Sequence, residues 1–338
     1  MRTTNHRFTA VGATAVAASL ALAGAVPVAA QEEPASVVAT TEVVGSIVEQ
    51  LVGDAAAVSV VMPSGANPHA YEASARDAET MLNADILVSN GLDLEEALLS
   101  ILETAEADGV TWFQAADHIA ALGVADDHHD HDHEAGEAEA DHDHQGEEAD
   151  VAHDREAEET EADDHDHNHG AVDPHIWTNP VFMVDVVEAL EHELGEAGID
   201  VTENSAALVT ELEALDAEVA EILAVVPGDQ RKLVTGHMSM GYFADQYGFE
   251  LIGTVIPGLT TSGAPTAREL AQLIEDIEVN GVTAVFAGVG TPQAVAQAVA
   301  DDSGAELVEI NVSQLPEGGD YQGLVRVLAV TIADALGE

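Results

Sequence analysis

Short apolar runs rich in β-branched residues return along this chain, each followed by a stretch with helical spacing. That alternation restricts the fold more than any other feature of the sequence. Residues 36–44, Ser-Val-Val-Ala-Thr-Thr-Glu-Val-Val, read as a strand leading into a short helix through Ile47, Val48 and Leu51. A second apolar run, Val58–Met62, is closed by Pro63-Ser-Gly-Ala-Asn-Pro68, and a helix over Ala75–Asn83, a strand at Ile86–Ser89, a helix over Leu94–Ala105 and a strand at Val110–Phe113 follow. A second set begins with strand Lys232–Thr235, then helix 239–247, strand Leu251–Val255, helix Ala267–Asn280, strand Ala284–Ala287, helix Pro292–Asp302, strand Leu307–Ile310 and a terminal helix over Tyr321–Leu336. Strands alternating with helices at this spacing predict parallel α/β units.

Between the sets lie a helix over Asn179–Leu194, with Pro180 in its first turn, and a longer helical pattern over 203–225. In the longer pattern Leu208, Leu212, Leu215, Val219 and Leu223 recur at steps of three and four, which makes one buried stripe. Such a helix would run about 35 Å at 1.5 Å per residue. The predicted architecture is therefore two α/β lobes, each a parallel sheet flanked by helices, joined by one long helix.

Two segments depart from this pattern. Arg2 and Arg7 precede an alanine-rich apolar stretch from Phe8 to Ala30 that holds no acid and closes on Val28-Ala29-Ala30. These are the parts of a cleaved secretory signal over 1–30, which is favoured over a retained membrane anchor. No other run reaches the roughly 18 apolar residues that a membrane span needs. The second segment, 126–169, is built almost wholly from Asp, Glu, His, Ala and Gly. It offers too little apolar surface to offset its ordering entropy, so it reads as a disordered insertion. The domain organisation that follows is a signal at 1–30, a first lobe at 31–200 carrying that insertion, a linking helix at 201–226 and a second lobe at 227–338.

Charge and cysteine content narrow the function classes. Eight basic against 64 acidic residues give a formal net charge of −56, which leaves no surface able to neutralise phosphates and so excludes nucleic acid as a partner. The 126–169 tract holds 20 of the acids, and the rest of the chain after the leader still carries 44 against five bases. Acidity on that scale is expected to keep a protein soluble at high salt, where self-repulsion is screened. With no cysteine anywhere, disulfides, thiolate metal sites, cysteine nucleophiles and a lipid-modified cysteine are excluded.

The sixteen histidines carry the most information. Ten lie in the insertion, at 128, 129, 131, 133, 142, 144, 153, 165, 167 and 169, and His6 belongs to the leader. His118 follows Asp117 near a loop and His192 stands between Glu191 and Glu193, so both read as surface or capping residues. The other three have distinctive company: His69 in Gly65-Ala-Asn-Pro-His-Ala-Tyr-Glu72, His175 in Asp173-Pro-His-Ile-Trp-Thr-Asn-Pro180, and His237 in Val234-Thr-Gly-His-Met-Ser-Met-Gly-Tyr-Phe243. His69 and His237 follow strands and His175 precedes a helix. Ligands of α/β folds bind beyond the carboxyl ends of strands, so all three are eligible to line one crevice. Neutral imidazole is the commonest metal ligand, and three of them leave a fourth position open. Trp177, Tyr242 and Phe243 are expected to pack around the site, Glu72 to orient a ligand or cap the next helix, and Gly236, Gly241 and Gly248 to mark turns.

Taken in order, Gly-x-Asn-Pro-His-x-Tyr-Glu, Asp-Pro-His-x-Trp-x-x-Pro and Gly-His-x-x-x-x-Tyr-Phe-Ala-Asp-x-Tyr-Gly resemble the zinc/manganese-binding proteins of bacterial ABC importers. An acidic, histidine-rich insertion just before the second motif resembles the zinc-type branch of that family. The resemblance covers residues 36–336. It implies a two-lobed periplasmic binding protein whose lobes are joined by a rigid helix, with the metal between them. His69 and His175 would come from the first lobe and His237 from the second. Many such proteins add an aspartate at the end of a late strand of the second lobe. Here that strand runs into Asn311, so the fourth ligand stays open among Asp320, Glu309, Asn311, Glu317 and water. A carboxylate common near residue 288 is replaced by Ala287-Gly-Val-Gly290.

Three nitrogen donors suit Zn²⁺ better than Mn²⁺, which is the second choice. Because only neutral imidazole binds metal, affinity is expected to fall as pH drops through about 6.5. The leading function is a non-enzymatic, exported binding protein, periplasmic, extracellular or held at the envelope. It captures Zn²⁺ as a monomer and, by the resemblance, delivers it to the membrane permease of an ABC importer. The insertion would collect zinc at many weak sites. The alternatives are a zinc hydrolase, against which stand the lack of His-Glu-x-x-His and of a nearby acid/base residue, and a secreted zinc buffer or adhesin.

Overall fold

In the computed structural model, which describes residues 34–120 and 172–337, eight strands form two four-stranded sheets, both wholly parallel. The first holds β1 (Ser36–Ala39), β2 (Ala57–Val60), β3 (Ile86–Ser89) and β4 (Thr111–Gln114) in the order β2-β1-β3-β4. The second holds β5 (Lys232–Thr235), β6 (Glu250–Thr254), β7 (Ala284–Ala287) and β8 (Glu306–Glu309) in the order β6-β5-β7-β8. Each sheet thus repeats one topology, with the chain crossing from one side of its first strand to the other. That reversal opens a crevice beyond the carboxyl ends of β1 and β3, and another beyond β5 and β7. The expected leader at 1–30 and the insertion at 126–169 lie outside the described residues. No helix among the described residues is long and apolar enough to cross a membrane.

Strand periodicity explains why both faces of each sheet are covered. In the first sheet Val37, Ala39, Ile86 and Val88 point to one side, while Val38 and Leu87 point to the other, where they meet Met81, Leu98 and Leu102. Met81 belongs to α2 (Ala75–Leu82), and Leu102 to α3 (Leu99–Ala107). In the second sheet Leu233, Ala284 and Phe286 face one way, and Val234 and Val285 face α7 (Ala267–Asn280) and α8 (Gln293–Ser303). Residues alternating this way on central strands are near-continuous apolar runs, as buried parallel strands require.

The inward faces of the two sheets share one continuous apolar cluster. It runs through α1 (Glu42–Val52), α4 (Pro180–Glu196), α5 (Thr202–Leu223) and α9 (Tyr321–Leu336). The predicted stripe on α5 is buried throughout, with Leu212, Leu215, Val219 and Leu223 fully so. It packs against α4, α9 and α1. Truncating one of these leucines to alanine costs roughly 2–5 kcal/mol. The described residues from Pro34 onward accordingly form one compact unit.

Element boundaries moved where local chemistry intervened. The strand expected over 36–44 stops at Ala39, because Thr41 takes the N-cap of α1 and accepts a bond from the Val44 amide at 3.2 Å. The helix expected from Leu94 begins as a single 3-10 turn at Glu96–Leu98 and becomes α-helical only at Leu99. Just upstream, Leu92 and Asp93 hold left-handed backbone angles (φ 52° and 55°). That reversal drives Glu95 inward, where its carboxylate accepts from Thr40 Oγ1 (2.6 Å) and the Asn90 amide (2.8 Å). Burial pushes this carboxyl above the usual range, and those hydrogen bonds pull it back.

Candidate metal centre

The three singled-out histidines sit on three irregular segments, each fixed by its own hydrogen bonds. His69 lies in a 3-10 turn at Pro68–Ala70, where Asn67 Oδ1 accepts from its backbone amide at 3.2 Å. His175 opens a second such turn at Ile176–Thr178. Asp173 Oδ1 accepts from both the His175 amide (2.9 Å) and the ring Nδ1 (2.7 Å). Asn90, just beyond β3, donates to the Pro174 carbonyl at 2.7 Å and so pins this segment at the crevice of the first sheet. His237 stands two residues past β5, its carbonyl accepting from Thr235 Oγ1 (2.7 Å) and Ser239 Oγ (3.3 Å).

These segments bring the three Nε2 atoms together. His175 Nε2 lies 3.2 Å from that of His69 and 3.1 Å from that of His237. Ring centroids are 5.0 to 5.4 Å apart with planes tilted by 57° to 88°, so the rings converge on a point and do not stack. His175 (1% exposed) and His237 (6%) are buried, and His69 is half-buried at the mouth. Among the described residues no other group of three or more His, Asp or Glu side chains is close enough to hold a metal ion.

Electrostatics favour the neutral form of His69 and His237. Burial, reinforced by neighbouring His175, lowers the His69 pKa to about 4 against a smaller opposing pull from Asp173. Burial, then His175 and His69, lowers that of His237 to about 2. The bond to Asp173 places the His175 proton on Nδ1 and frees Nε2 as a donor atom. Three lone pairs facing one another repel unless a cation lies between them. Ligand nitrogens 2.0–2.1 Å from a tetrahedral Zn²⁺ stand about 3.3–3.4 Å apart, close to the spacing here. The donor set therefore fits a zinc-sized ion with little movement.

Other residues raised by the sequence take different places. Asn311 Oδ1 accepts from the Val289 amide at 3.2 Å, which engages it with the turn after β7. Asp320 caps α9, accepting from the Gly323 amide at 2.8 Å. Glu309 and Glu317 are exposed. Of these, the three carboxylates Asp320, Glu309 and Glu317 stay outside the convergent cluster. Glu72 is exposed, and α2 is capped instead by Ser74 and Asp77. His118 stacks on Phe113 at 4.5 Å, and His192 is an exposed neighbour of Glu196. Trp177 packs 5.2 Å from the His175 ring, and Tyr242 donates its hydroxyl to the Asp173 carbonyl at 2.7 Å. Phe243, on α6 (Gly241–Tyr247), is in the core beside Tyr247 and Phe249.

Sequence reasoning passed over Asp173, although it stands two residues before His175, the spacing at which a carboxylate can bond both the amide and Nδ1 of the histidine. It also explains Gly241, where an added Cβ would lie 2.6 Å from Asp173 Oδ2.

A family model described as ZnuA, zinc-uptake complex component A, periplasmic, matches residues 37–335. The chain is 32% identical to the high-affinity zinc uptake system protein ZnuA of Paracoccus denitrificans, over 94% of this chain and 98% of that one. It is 28% identical to the zinc-binding lipoprotein AdcA of Streptococcus pneumoniae, over 82% of this chain but 49% of that one. This chain spans about half the length of the AdcA proteins that it matches. In fold it is similar to the periplasmic zinc-binding protein TroA of Treponema pallidum, with a TM-score of 0.71 at 22% identity, covering 91% of this chain and 100% of that one. With the matched span reaching from the first strand into the terminal helix, this chain belongs to the ZnuA family.

Proposed function

We propose that this protein is an extracytoplasmic zinc-binding component of an ABC-type importer, and that His69, His175 and His237 hold the Zn²⁺ it captures and passes to a membrane permease. The observation that carries this reading is the convergence of three imidazole Nε2 atoms from three separate loops, two preceding α5 in the chain and one following it. A set of three nitrogens suits Zn²⁺ better than Mn²⁺, which prefers more oxygen ligands. The buried carboxylate of Asp173 compensates part of the ion's charge through the His175 ring. The fourth position is left to water. Binding is the chemistry that these groups support: Asp173 is committed to orienting His175 and is not placed as a general base for a metal-bound water.

The two halves act as lobes about α5, and the signal at 1–30 and the histidine-rich tract at 126–169 belong to the same reading, as export device and zinc-collecting arm. Competition titration against a chelator of known affinity tests it. The intact protein is expected to hold one zinc tightly, and His237→Ala is expected to abolish that site. Retention of the tight site in His237→Ala would refute the proposed ligand set. Turnover of esters, peptides or phosphates would refute the binding-only reading.

A further inference from the structure

The connection between β6 and α7 reaches from the His237 segment to that of His69, and its bonds tie the two together. At its root, the Met238 amide, next to His237, donates to the Gly258 carbonyl at 3.1 Å. Near its tip, Thr261 Oγ1 accepts from Asn67 Nδ2 at 2.7 Å. Asn67 belongs to the other half of the molecule, and its Oδ1 accepts from the His69 amide, which fixes the orientation of its amide group. Thr261 is itself wedged by the backbone of Gly290. That glycine has φ +86°, and a Cβ there would collide with the threonine side chain. A continuous line of bonds therefore runs from the His237 loop through Gly258 and Thr261 to Asn67 and the amide of His69.

We infer that residues 257–265 form a strap that retains the captured ion, with Thr261 and Asn67 as positioning residues that hold His69 in its ligating place. The strap rests on the proposed zinc-capture reading. His69 is the least buried of the three imidazoles, so it is the one whose departure lets an ion leave. Its turn is short, and Asn67 is the side chain that bonds its backbone. Fixing Asn67 from the opposite half lowers the frequency with which His69 swings away. The consequence is kinetic: the strap slows release and has little influence on encounter.

The test compares the unmodified protein with Thr261→Val, which keeps the shape and removes the hydroxyl, and Thr261→Ser, which keeps the hydroxyl. Zinc dissociation is followed by stopped flow into excess chelator. Thr261→Val is expected to release zinc about threefold to tenfold faster, as loss of one modest hydrogen bond implies, with unchanged association, and Thr261→Ser is expected to behave as the unmodified protein. Release from Thr261→Val at the original rate would overturn the strap, as would an equal acceleration in Thr261→Ser. Hydrogen exchange at the His69 amide in metal-free protein judges the strap independently of zinc. Thr261→Val should accelerate it by a similar factor, and unchanged exchange overturns the strap. Failure of the unmodified protein to bind zinc tightly would instead overturn the capture reading.

Discussion

Replacing Asp173 with asparagine changes one oxygen for an amide nitrogen in a site that excludes water, and the effect on zinc affinity can be worked from its bonds. Asp173 is 3% exposed, and its Oδ1 accepts two bonds from His175, one from the backbone and one from the ring. A buried hydrogen bond to a charged group contributes about 1.5–3 kcal/mol, against about 1 kcal/mol for a neutral one. Asparagine can keep its oxygen in the same place, so the loss is the charge-dependent part, about 0.5–2 kcal/mol, on the ring that must present Nε2. With tenfold in affinity for every 1.4 kcal/mol, zinc binding should weaken about twofold to thirtyfold, the upper end reaching the 10–100-fold range typical when a ligand's supporting carboxylate is altered. The site should persist, because the other contacts of His175 remain: Asn90 to Pro174, and Thr178 to the His175 carbonyl. The assay is competition titration at pH 7.5, paired with thermal melting of metal-free protein. Affinity equal to that of the unmodified protein would refute the argument that Asp173 sets the ring. Loss of the metal-free fold would refute the claim that its role is orientation.

Acid offers a second check. The unfolded chain takes up protons on His69 and His237 near pH 6.5, whereas the folded chain resists protonation down to about 4 and about 2. Unfolded protein thus binds more protons across that window, so their contribution to metal-free stability is whole above pH 6.5 and falls with pH below it; chemical denaturation at pH 7.5 and 5 should show the decline. For the same reason protonation of His69 and His237 should compete with zinc only at a lower pH than free histidine suggests, measurable by titration of affinity across pH. Asp320→Ala removes the cap of α9 and should cost about 1 kcal/mol of stability while zinc affinity stays within threefold; a larger loss of affinity would make Asp320 a ligand after all. Gly288→Ala places a Cβ against the Ile310 carbonyl, backbone that cannot swing aside, and should lower the melting temperature by several degrees.

Where one local rule governed an element, the sequence was enough to place it. Helix α7 runs over Ala267–Asn280 as read, because Thr266 and Glu269 close a capping box at one end and Gly281 turns left-handed at the other. The α5 stripe was equally plain, since a buried face repeats at the helical period. The ligand segments were harder. The 3-10 turns at Pro68–Ala70 and Ile176–Thr178 are too short for periodicity and are fixed from outside, the first through Asn67 donating to Thr261, the second by Tyr321 donating to the Trp177 carbonyl and Trp177 donating to the Val312 carbonyl. Sequence motifs named the three histidines because their neighbours are unusual. They did not reveal Asp173 or Thr261, whose roles exist only once distant loops meet. The tract at 126–169 falls outside the described residues, and its reading rests on composition.

The apolar seam that α5 and α9 draw through both sheets has a mechanical meaning. Helices clasped on several sides do not behave as a free hinge, and the same joint is riveted by Tyr321 donating to the Trp177 carbonyl and Trp177 donating to the Val312 carbonyl. A seam clasped in this way works against a large swing of one half over the other. On the proposed capture reading, release of an ion would then begin at the rim, where His69 is held, and not with a wide opening of the whole molecule.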